Sequence, residues 1–318
     1  MRRYDCPACA ATLFFDSIAC DACGTRVGYV LDDDAFLAVV ASEVPGVERR
    51  RCVNADLVRC NWLTRAGAGL CPSCERTRTR PRDDDAEGMR LWPVAEEAKR
   101  HLLRDVHRLG FDVDGSTPLR FDLLSSTDED ITIGHANGVI TIDLSEGDHS
   151  HRERVRQQLD EPYRTMLGHL RHESGHYFEW QLVEGGPRIE EARALFGDER
   201  ADYQAEIARH YDEGPPEGWQ ARHLSAYATM HPYEDFAECW AHVLHIHDTL
   251  ETATDFGLVD PLPRDAGMRT VVVEGWLPFA TAMNVVNRSL GRRDLYPFVL
   301  PDPVIEKLAF VDGLRPGS

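Results

Sequence analysis

After Pro93 the apolar residues recur every three or four positions, which is the spacing of the buried face of a helix. These positions are Ala95, Ala98, Leu102, Val106 and Leu109. Gly110 follows directly and can end a helix. The pattern predicts a helix that starts after Pro93 and stops near residue 110.

Strand patterns occupy the next part of the chain. Residues 119–124 alternate between apolar and polar side chains, and so do 131–133 and 139–144. The last two segments flank Asn137-Gly138, and an Asn-Gly pair is a strong signal for a tight hairpin turn. We therefore expect one strand followed by a β-hairpin.

From residue 151 onwards the pattern is mostly helical. The predicted helical segments are 151–184, 188–211, 231–250, 276–291 and 302–310. Before residue 80 the chain is turn-rich, and the polar stretch 76–85 is typical of a linker. The fold class indicated is α+β, with a small module over residues 1–82 and a mostly helical domain with a small β-sheet over residues 90–318.

The composition is that of a globular protein without a membrane span. Hydrophobic residues make up 42% of the 318 residues, and no run of about 18 apolar residues occurs. The N-terminus, Met1 to Cys6, has no apolar signal core, so we expect a cytoplasmic protein. The formal net charge of −19 would repel phosphates and disfavours a nucleic-acid partner.

Eight of the nine cysteines lie before residue 75. In a reducing cytoplasm such clusters bind metal more often than they form disulfides. The first set is Cys6, Cys9, Cys20 and Cys23, with zinc-ribbon spacing, and the second set is Cys52, Cys60, Cys71 and Cys74. We expect each set to form one structural zinc site, although the spacing also permits interleaving. Because its charge is nearly balanced, we expect the module to bind a protein partner or to pack on the rest of the chain.

The segment His172-Glu173-Ser174-Gly175-His176 lies in a stretch with helical periodicity. Residues four apart share one face of a helix, so His172 and His176 can bind one metal ion. Glu173 lies beside the first histidine and can act as the base for a water molecule activated by zinc. The motif indicates a catalytic zinc site, and Gly175 is small enough for close packing.

A hydrolytic zinc site of this kind needs a third protein ligand. A third histidine at HExxHxxGxxH spacing is missing, because Leu182 stands at that position. A downstream carboxylate is therefore expected. Glu234 and Glu238 share one face of a helix that Pro232 can start, so one could bind zinc while the other orients a ligand. Glu199 is a further candidate, in an acidic segment that is also typical of a solvated helix start.

Several further segments carry a family resemblance together with the HExxH block. They are residues 60–63, 161–165, 287–291 and 294–300. Through them the chain resembles, over nearly its whole length, a bacterial family of zinc-binding metallopeptidases with an N-terminal zinc ribbon. The resemblance implies a zincin-like peptidase domain behind the ribbon module, and it implies no particular substrate.

A more distant likeness concerns the segment from Tyr227 to Glu238. Its spacing, a Tyr, six residues, a Glu, one residue and then Phe-Ala-Glu, resembles the anthrax lethal factor group of gluzincin peptidases. The resemblance implies that Glu234 is the third zinc ligand and that Tyr227 stabilises the oxyanion. Spacing alone leaves Glu234 and Glu238 both open. By analogy with such peptidases, residues 139–144 would form an edge strand that pairs with extended substrate.

The leading hypothesis is hydrolysis of a peptide or protein substrate, with one catalytic and two structural zinc ions. Glu173 would activate water, Tyr227 would stabilise the oxyanion, and Glu238 or Asp235 would orient the zinc ligands. A second hypothesis is a zinc-ribbon interaction or regulatory protein that uses a metallopeptidase fold as a scaffold, and the intact Glu173 counts against it. A third is a metal hydrolase that acts on a non-peptide amide.

Overall fold

The computed structural model describes residues 2–39, 49–125, 131–148, 165–263 and 265–317. The chain divides into two compact units, Met1–Leu170 and Arg171–Ser318. Within the described residues, the first unit contains all of the strands and the second is built from helices. The expected α+β class is confirmed.

Two short antiparallel hairpins open the first unit. β1 (Tyr4–Asp5) pairs with β2 (Thr12–Leu13), and β3 (Val27–Val30) pairs with β4 (Ala35–Ala38). Isolated hairpins of this size are at best marginally stable. A cluster of aromatic rings joins the two hairpins. It consists of Tyr4, Tyr29 and Phe36 from the strands together with Phe15 and Trp62.

A four-stranded sheet and helix α1 (Ala86–Arg108) complete the first unit. The strands are β5 (Thr77–Thr79), β6 (Arg120–Leu124), β7 (Gly134–Ala136) and β8 (Val139–Asp143), in the order β5-β6-β8-β7. β5, β6 and β8 run parallel, and β7 is antiparallel to β8. Because β8 is hydrogen-bonded on both sides, the expectation that residues 139–144 form an edge strand is wrong.

The hairpin forms at the Asn-Gly pair, but its first strand is displaced from the predicted position. Asn137 and Gly138 have φ values of +50° and +82°, as a two-residue type I′ turn requires. So tight a turn makes Ala136 pair directly with Val139. The strand is therefore β7, and the predicted segment 131–133 lies just before it.

Helix α1 begins at Ala86, before Pro93 rather than after it. The side chain of Asp85 accepts a hydrogen bond from the Gly88 N–H at 2.9 Å and caps the first turn. This cap and the burial of Trp92 favour a start upstream of the proline. The end of the helix agrees with the prediction.

The stretch 76–85 is not the solvated linker that its polarity predicts. Part of it is strand β5, and the buried Arg76 guanidinium donates to the Leu119 carbonyl at 3.3 Å. Arg78 pairs with Asp122 on the neighbouring strand. The polar side chains serve ion pairs at the edge of a sheet, and such residues have the same composition as a linker.

The helices of the second unit include a long central helix, α5. They are α2 (Met166–Leu182), α3 (Ile189–Phe196), α4 (Tyr203–Glu213), α5 (Pro232–Asp255), α6 (Leu277–Ser289) and α7 (Asp302–Asp312). The division between the units falls inside α2. A π-helical segment, Val271–Trp276, precedes α6. Among the described residues no helix is long and apolar enough to cross a membrane.

The predicted helical segments correspond to these helices, with three differences. Helix α5 extends beyond residue 250 to Asp255, and the helical turn Met268–Thr270 and the π-helical segment come before the predicted start at residue 276. The segment 188–211 is two helices, because Gly197 adopts a φ of +110° and ends α3, and Asp202 caps α4. Residues 151–164, predicted to continue α2 towards the N-terminus, lie outside the described residues. So does most of the block 161–165 that contributes to the family resemblance.

The C-terminal blocks that carry the family resemblance have a structural role. Asn284 Nδ2 donates to the Tyr296 carbonyl at 2.7 Å, and its Oδ1 accepts from the Tyr296 N–H at 2.9 Å. The Arg288 guanidinium donates two hydrogen bonds of 2.5 Å to Asp294. These contacts hold the segment after α6 against that helix.

Candidate metal centres

Helices α2 and α5 approach so closely that only glycine fits at their contact. A Cβ atom on Gly175 would lie 2.7 Å from the Cα of Ala237. Trp240 Nε1 donates to Ser174 Oγ at 2.9 Å, and its ring stacks on Phe178. This confirms the packing role expected of Gly175 and holds the HExxH segment against the first turns of α5.

The contact brings both motif histidines to one carboxylate. Glu234 Oε2 lies 2.9 Å from His172 Nε2 and 3.6 Å from His176 Nε2. The three side chains offer ligand atoms that all lie within 4.8 Å of one another. Two ligands bound to zinc at about 2.0–2.1 Å in a tetrahedron are roughly 3.3 Å apart. His172, His176 and Glu234 therefore fit a zinc ion.

Glu238 contacts the opposite side of the His172 ring. Its Oε1 lies 2.9 Å from His172 Nδ1, and Ser225 Oγ donates to its Oε2 at 2.8 Å. Both oxygens of Glu238 are thus engaged away from His172 Nε2. A carboxylate in this position orients a metal-binding imidazole and raises its basicity. Of the two carboxylates that the sequence leaves open, Glu234 is the one that lies beside both histidines.

Tyr203 is a residue of this site that the sequence analysis missed. Its hydroxyl, at the start of α4, donates to Glu234 Oε1 at 2.6 Å. That bond occupies one oxygen of Glu234 and leaves Oε2 beside the histidines. No motif marks Tyr203, since it lies in neither the HExxH segment nor α5, and only the tertiary contact identifies it.

The charges around His172 are strongly coupled. Burial alone would raise the pKa of Glu234, but His176 and His172 outweigh that effect and hold the pKa well below its ordinary value. Burial would also lower the pKa of His172, whereas its contacts with Glu234 and Glu238 raise it well above the ordinary value. Both shifts reflect the attraction between the imidazoles and the two carboxylates, Glu234 buried and Glu238 half-buried, and a metal cation would be attracted in the same way.

Glu173 is half-buried on α2 between the two histidines. Its Oε2 atom is buried and has no hydrogen-bond partner within the described part of the chain. Burial raises the pKa of this carboxyl, although the histidines beside it act in the opposite direction. A carboxylate with an unpaired oxygen and a raised pKa suits proton transfer to and from water.

Tyr227 lies in a 3-10 turn that precedes α5. Its ring contacts His172 edge to face, with 5.7 Å between ring centroids. Burial and the nearby Glu234 carboxylate raise the pKa of its hydroxyl well above the ordinary value. The hydroxyl therefore stays protonated and can donate a hydrogen bond beside the histidines.

Other residues considered from the sequence are engaged elsewhere. Glu199 accepts two hydrogen bonds from Arg193, at 2.9 and 2.6 Å. Asp235 accepts from Lys307 Nζ at 2.5 Å. Neither Glu199 nor Asp235 thus takes the position that Glu234 and Glu238 occupy around His172.

The cysteines gather into two separate groups, the first four and the second four, without interleaving. All nine cysteines lie in the described residues and all are free thiols. In the first group, Cys6 Sγ lies 3.8 Å from Cys23 Sγ, and Cys9 Sγ lies 3.7 Å from Cys20 Sγ. A disulfide bond measures about 2.05 Å, whereas two thiolates on one tetrahedral zinc ion, at about 2.3 Å each, are roughly 3.8 Å apart.

The second group has the same spacing in a more buried setting. Cys60 Sγ lies 3.5 Å from Cys71 Sγ and 3.8 Å from Cys74 Sγ. The N–H groups of Cys71 and Cys74 donate to Cys52 Sγ and Cys71 Sγ, each at 3.4 Å. Such bonds stabilise thiolates. Four protein ligands in each group are typical of closed, structural zinc sites.

Comparison with known proteins agrees with this arrangement. The sequence model of a family described as "Putative zinc-binding metallo-peptidase" matches residues 88–314, and that of a zinc-ribbon domain matches residues 3–85. Uncharacterised proteins of Mycobacterium bovis and Mycobacterium tuberculosis are each 45% identical to the chain over 326 residues, which cover 98% of this chain and 94% of the relative. No solved structure matches. The likeness to the anthrax lethal factor group, the domain limits 1–82 and 90–318, and the cytoplasmic location stay predictions.

Proposed function

Because the chain belongs to this family of zinc-binding metallopeptidases, we propose that it hydrolyses peptide bonds by the HExxH mechanism, with a gluzincin ligand set. One observation carries the proposal. The ligand atoms of His172, His176 and Glu234 converge, and Glu173 on the same helix has an unpaired carboxylate oxygen. We further propose three zinc ions per chain, one at this site and one in each cysteine group.

His172, His176 and Glu234 would hold the catalytic zinc ion. Zinc bound there would supply a Lewis acid that lowers the pKa of a water molecule and polarises the scissile carbonyl. Glu173 accepts the proton of the attacking water and returns it to the leaving amine. The raised pKa of Glu173 brings it closer to neutral pH, where both proton transfers are efficient.

Three further residues position these groups in the proposed mechanism. Tyr227 donates a hydrogen bond to the carbonyl oxygen as negative charge develops on it. Glu238 fixes the His172 ring through Nδ1, and Tyr203 fixes the Glu234 carboxylate through Oε1. These two contacts hold the side chains of the proposed metal ligands in place, so the ligands need to move less during the reaction.

The first experiment counts zinc in the purified chain and in two variants, Glu234→Ala and Glu238→Ala. We expect about three zinc ions in the unchanged protein and one fewer in Glu234→Ala, because that variant lacks a ligand. Glu238→Ala should keep the third ion with an affinity about 10–100-fold weaker. Loss of the ion only in Glu238→Ala would contradict this ligand set. Two ions in all three proteins would favour a scaffold with no catalytic metal.

The second experiment measures turnover of Glu173→Gln on a fluorogenic peptide library. The variant should bind zinc normally and lose about 10²–10⁴-fold in rate, because the amide cannot accept a proton. Glu184→Gln is the matched control, since Glu184 is exposed. Equal rates for Glu173→Gln and the unchanged protein would refute the proposed base. If the unchanged protein cleaves no peptide of the library but cleaves small acylated amides, the hypothesis of a non-peptide amide hydrolase would be favoured.

A further inference from the structure

The zinc-ribbon part of the first unit contains a cavity of about 170 Å³. Apolar side chains form part of its wall, among them Ile18, Val27 and Leu63. An apolar cavity of about 150 Å³ can bind a molecule the size of benzene, so this cavity can hold an aliphatic side chain. The cavity lies among residues of both cysteine segments and uses none of the residues proposed for catalysis.

Positive charge surrounds this cavity although the chain as a whole is acidic. Arg26, Arg51 and Arg59 line it together with one acid, Asp56. Arg51 pairs with Asp56 at 2.8 Å. Arg26 and Arg59 are exposed and have no ion pair within 4 Å in the described ranges of the chain. Two guanidinium groups are therefore available to an anionic ligand.

Two residues of the same wall are held by contacts with the aromatic cluster and its neighbours. Asn61 Nδ2 donates to the carbonyl of Phe15 at 2.6 Å. The Trp62 ring contacts the rings of Phe15 and Tyr29. Both side chains are buried, so this part of the wall is held in place without a ligand.

We propose that this cavity is a peptide-binding site of the ribbon module, which takes an aliphatic side chain flanked by an aspartate or glutamate. The apolar wall would accept the aliphatic group, and Arg26 and Arg59 would bind the carboxylate. A nucleic-acid phosphate could meet the same arginines, but it carries no aliphatic group to occupy the apolar part of the cavity.

The test uses the full-length, zinc-loaded chain with Glu173→Gln, so that a bound peptide is not cleaved. An array of amidated heptapeptides is probed first, and the strongest sequence is then titrated as a fluorescein conjugate. We expect enrichment of peptides that pair an acidic with an aliphatic residue. Exchanging the acid for its amide should weaken binding at least tenfold, and raising the salt concentration should weaken it further.

Charge-reversal variants locate the binding surface. Arg26→Glu and Arg59→Glu should each weaken binding of the titrated peptide at least tenfold. Arg65 is an exposed arginine outside the cavity, so Arg65→Glu should leave the affinity within twofold. Zinc content and circular dichroism check that the variants fold. An array without acidic–aliphatic enrichment would overturn the proposal, as would binding that persists in Arg59→Glu. If a labelled single-stranded oligonucleotide binds the unchanged chain but not Arg59→Glu, the ligand of the cavity would be a nucleic acid and not a peptide.

Discussion

Glu234 and Glu238 stand one helical turn apart on α5, yet they lie beside different nitrogens of the same imidazole. Glu234 approaches Nε2 of His172, and Glu238 approaches Nδ1. Sequence spacing cannot separate them, because residues four apart share one face of a helix. The orientation of the His172 ring distinguishes the two carboxylates. Glu238 contacts that ring through Oε1, and Ser225 donates to the other oxygen of Glu238.

Tyr227 offers the sharpest test at the scale of a single residue. In Tyr227→Phe we expect kcat to fall about 10²–10³-fold with little change in KM, because in the proposed mechanism the lost hydrogen bond would form mainly as the oxyanion develops. Steady-state kinetics on a peptide cleaved by the unchanged enzyme checks this. Tyr211→Phe, at a tyrosine that is 63% exposed, should leave kcat unchanged. A rise in KM at constant kcat would instead indicate a role in substrate binding.

At the scale of elements, the site depends on how closely α2 can approach α5. One helix supplies both histidines and the other supplies Glu234, so the distance between the helices sets the geometry of the ligands. Gly175 is the position where that distance is least. Its role is steric, since a side chain there would meet the backbone of α5, which cannot move aside as a flexible side chain would.

Gly175→Ala should therefore destabilise the protein and weaken zinc binding. Alanine favours a helix by about 1 kcal/mol over glycine, but overpacking against backbone costs about 1–3 kcal/mol. We expect a lower free energy of unfolding, measured in urea, and weaker binding of the third zinc ion, measured by competition with a chelator. Gly267→Ala is the control, because nothing lies within 4 Å of a Cβ at that position. Unchanged zinc affinity in Gly175→Ala would contradict a ligand geometry set by this contact.

The elements also show where periodicity fails as a guide. β5 consists of three residues with polar side chains at the edge of a sheet, so its local pattern equals that of a linker. The strand before Asn137 lies three positions later than predicted, because a two-residue turn requires the residues on either side of it to pair directly. Long helices with an apolar face were predictable, since their pattern extends over many turns.

At the scale of the whole molecule, acid should destabilise the protein partly through Asp312. Asp312 Oδ1 lies 2.7 Å from His247 Nε2, and its Oδ2 accepts from Arg315 at 2.7 Å. Burial alone would raise the pKa of Asp312, but the hydrogen bond with His247 outweighs it and lowers that pKa. A carboxyl whose folded pKa is depressed stabilises the fold above its unfolded pKa of about 3.9, and this contribution is lost as pH falls through the folded pKa.

Asp312→Asn should accordingly lower the unfolding free energy by about 1–3 kcal/mol at pH 7. The difference from the unchanged protein should shrink below about pH 4, where Asp312 of the unfolded chain takes up a proton while that of the folded protein is still ionised. Urea unfolding between pH 7 and pH 3 measures it, and zinc loss in acid affects both proteins alike. Asp302→Asn, which removes an exposed ion pair with Arg269, is the control. A difference that stays constant down to pH 3 would argue against the depressed pKa.

The sequence by itself determined which residues are the candidate metal ligands close to one another along the chain. The spacing of His172 and His176 and that of the CxxC pairs needed no tertiary information, because a helical turn and a CxxC knuckle are local structures that bring their side chains together. Local pattern also indicated the α+β class, the long helices and the Asn-Gly turn.

Tertiary structure decided everything that depends on two distant segments meeting. It brought Glu234 rather than Glu199 to the histidines, placed Glu238 behind His172, and added Tyr203, which no motif marks. It also grouped the cysteines without interleaving and placed β8 between two neighbouring strands instead of at the edge of the sheet. The physical reason is that local sequence sets which way a side chain points along its own helix or strand, whereas packing between elements sets what it meets.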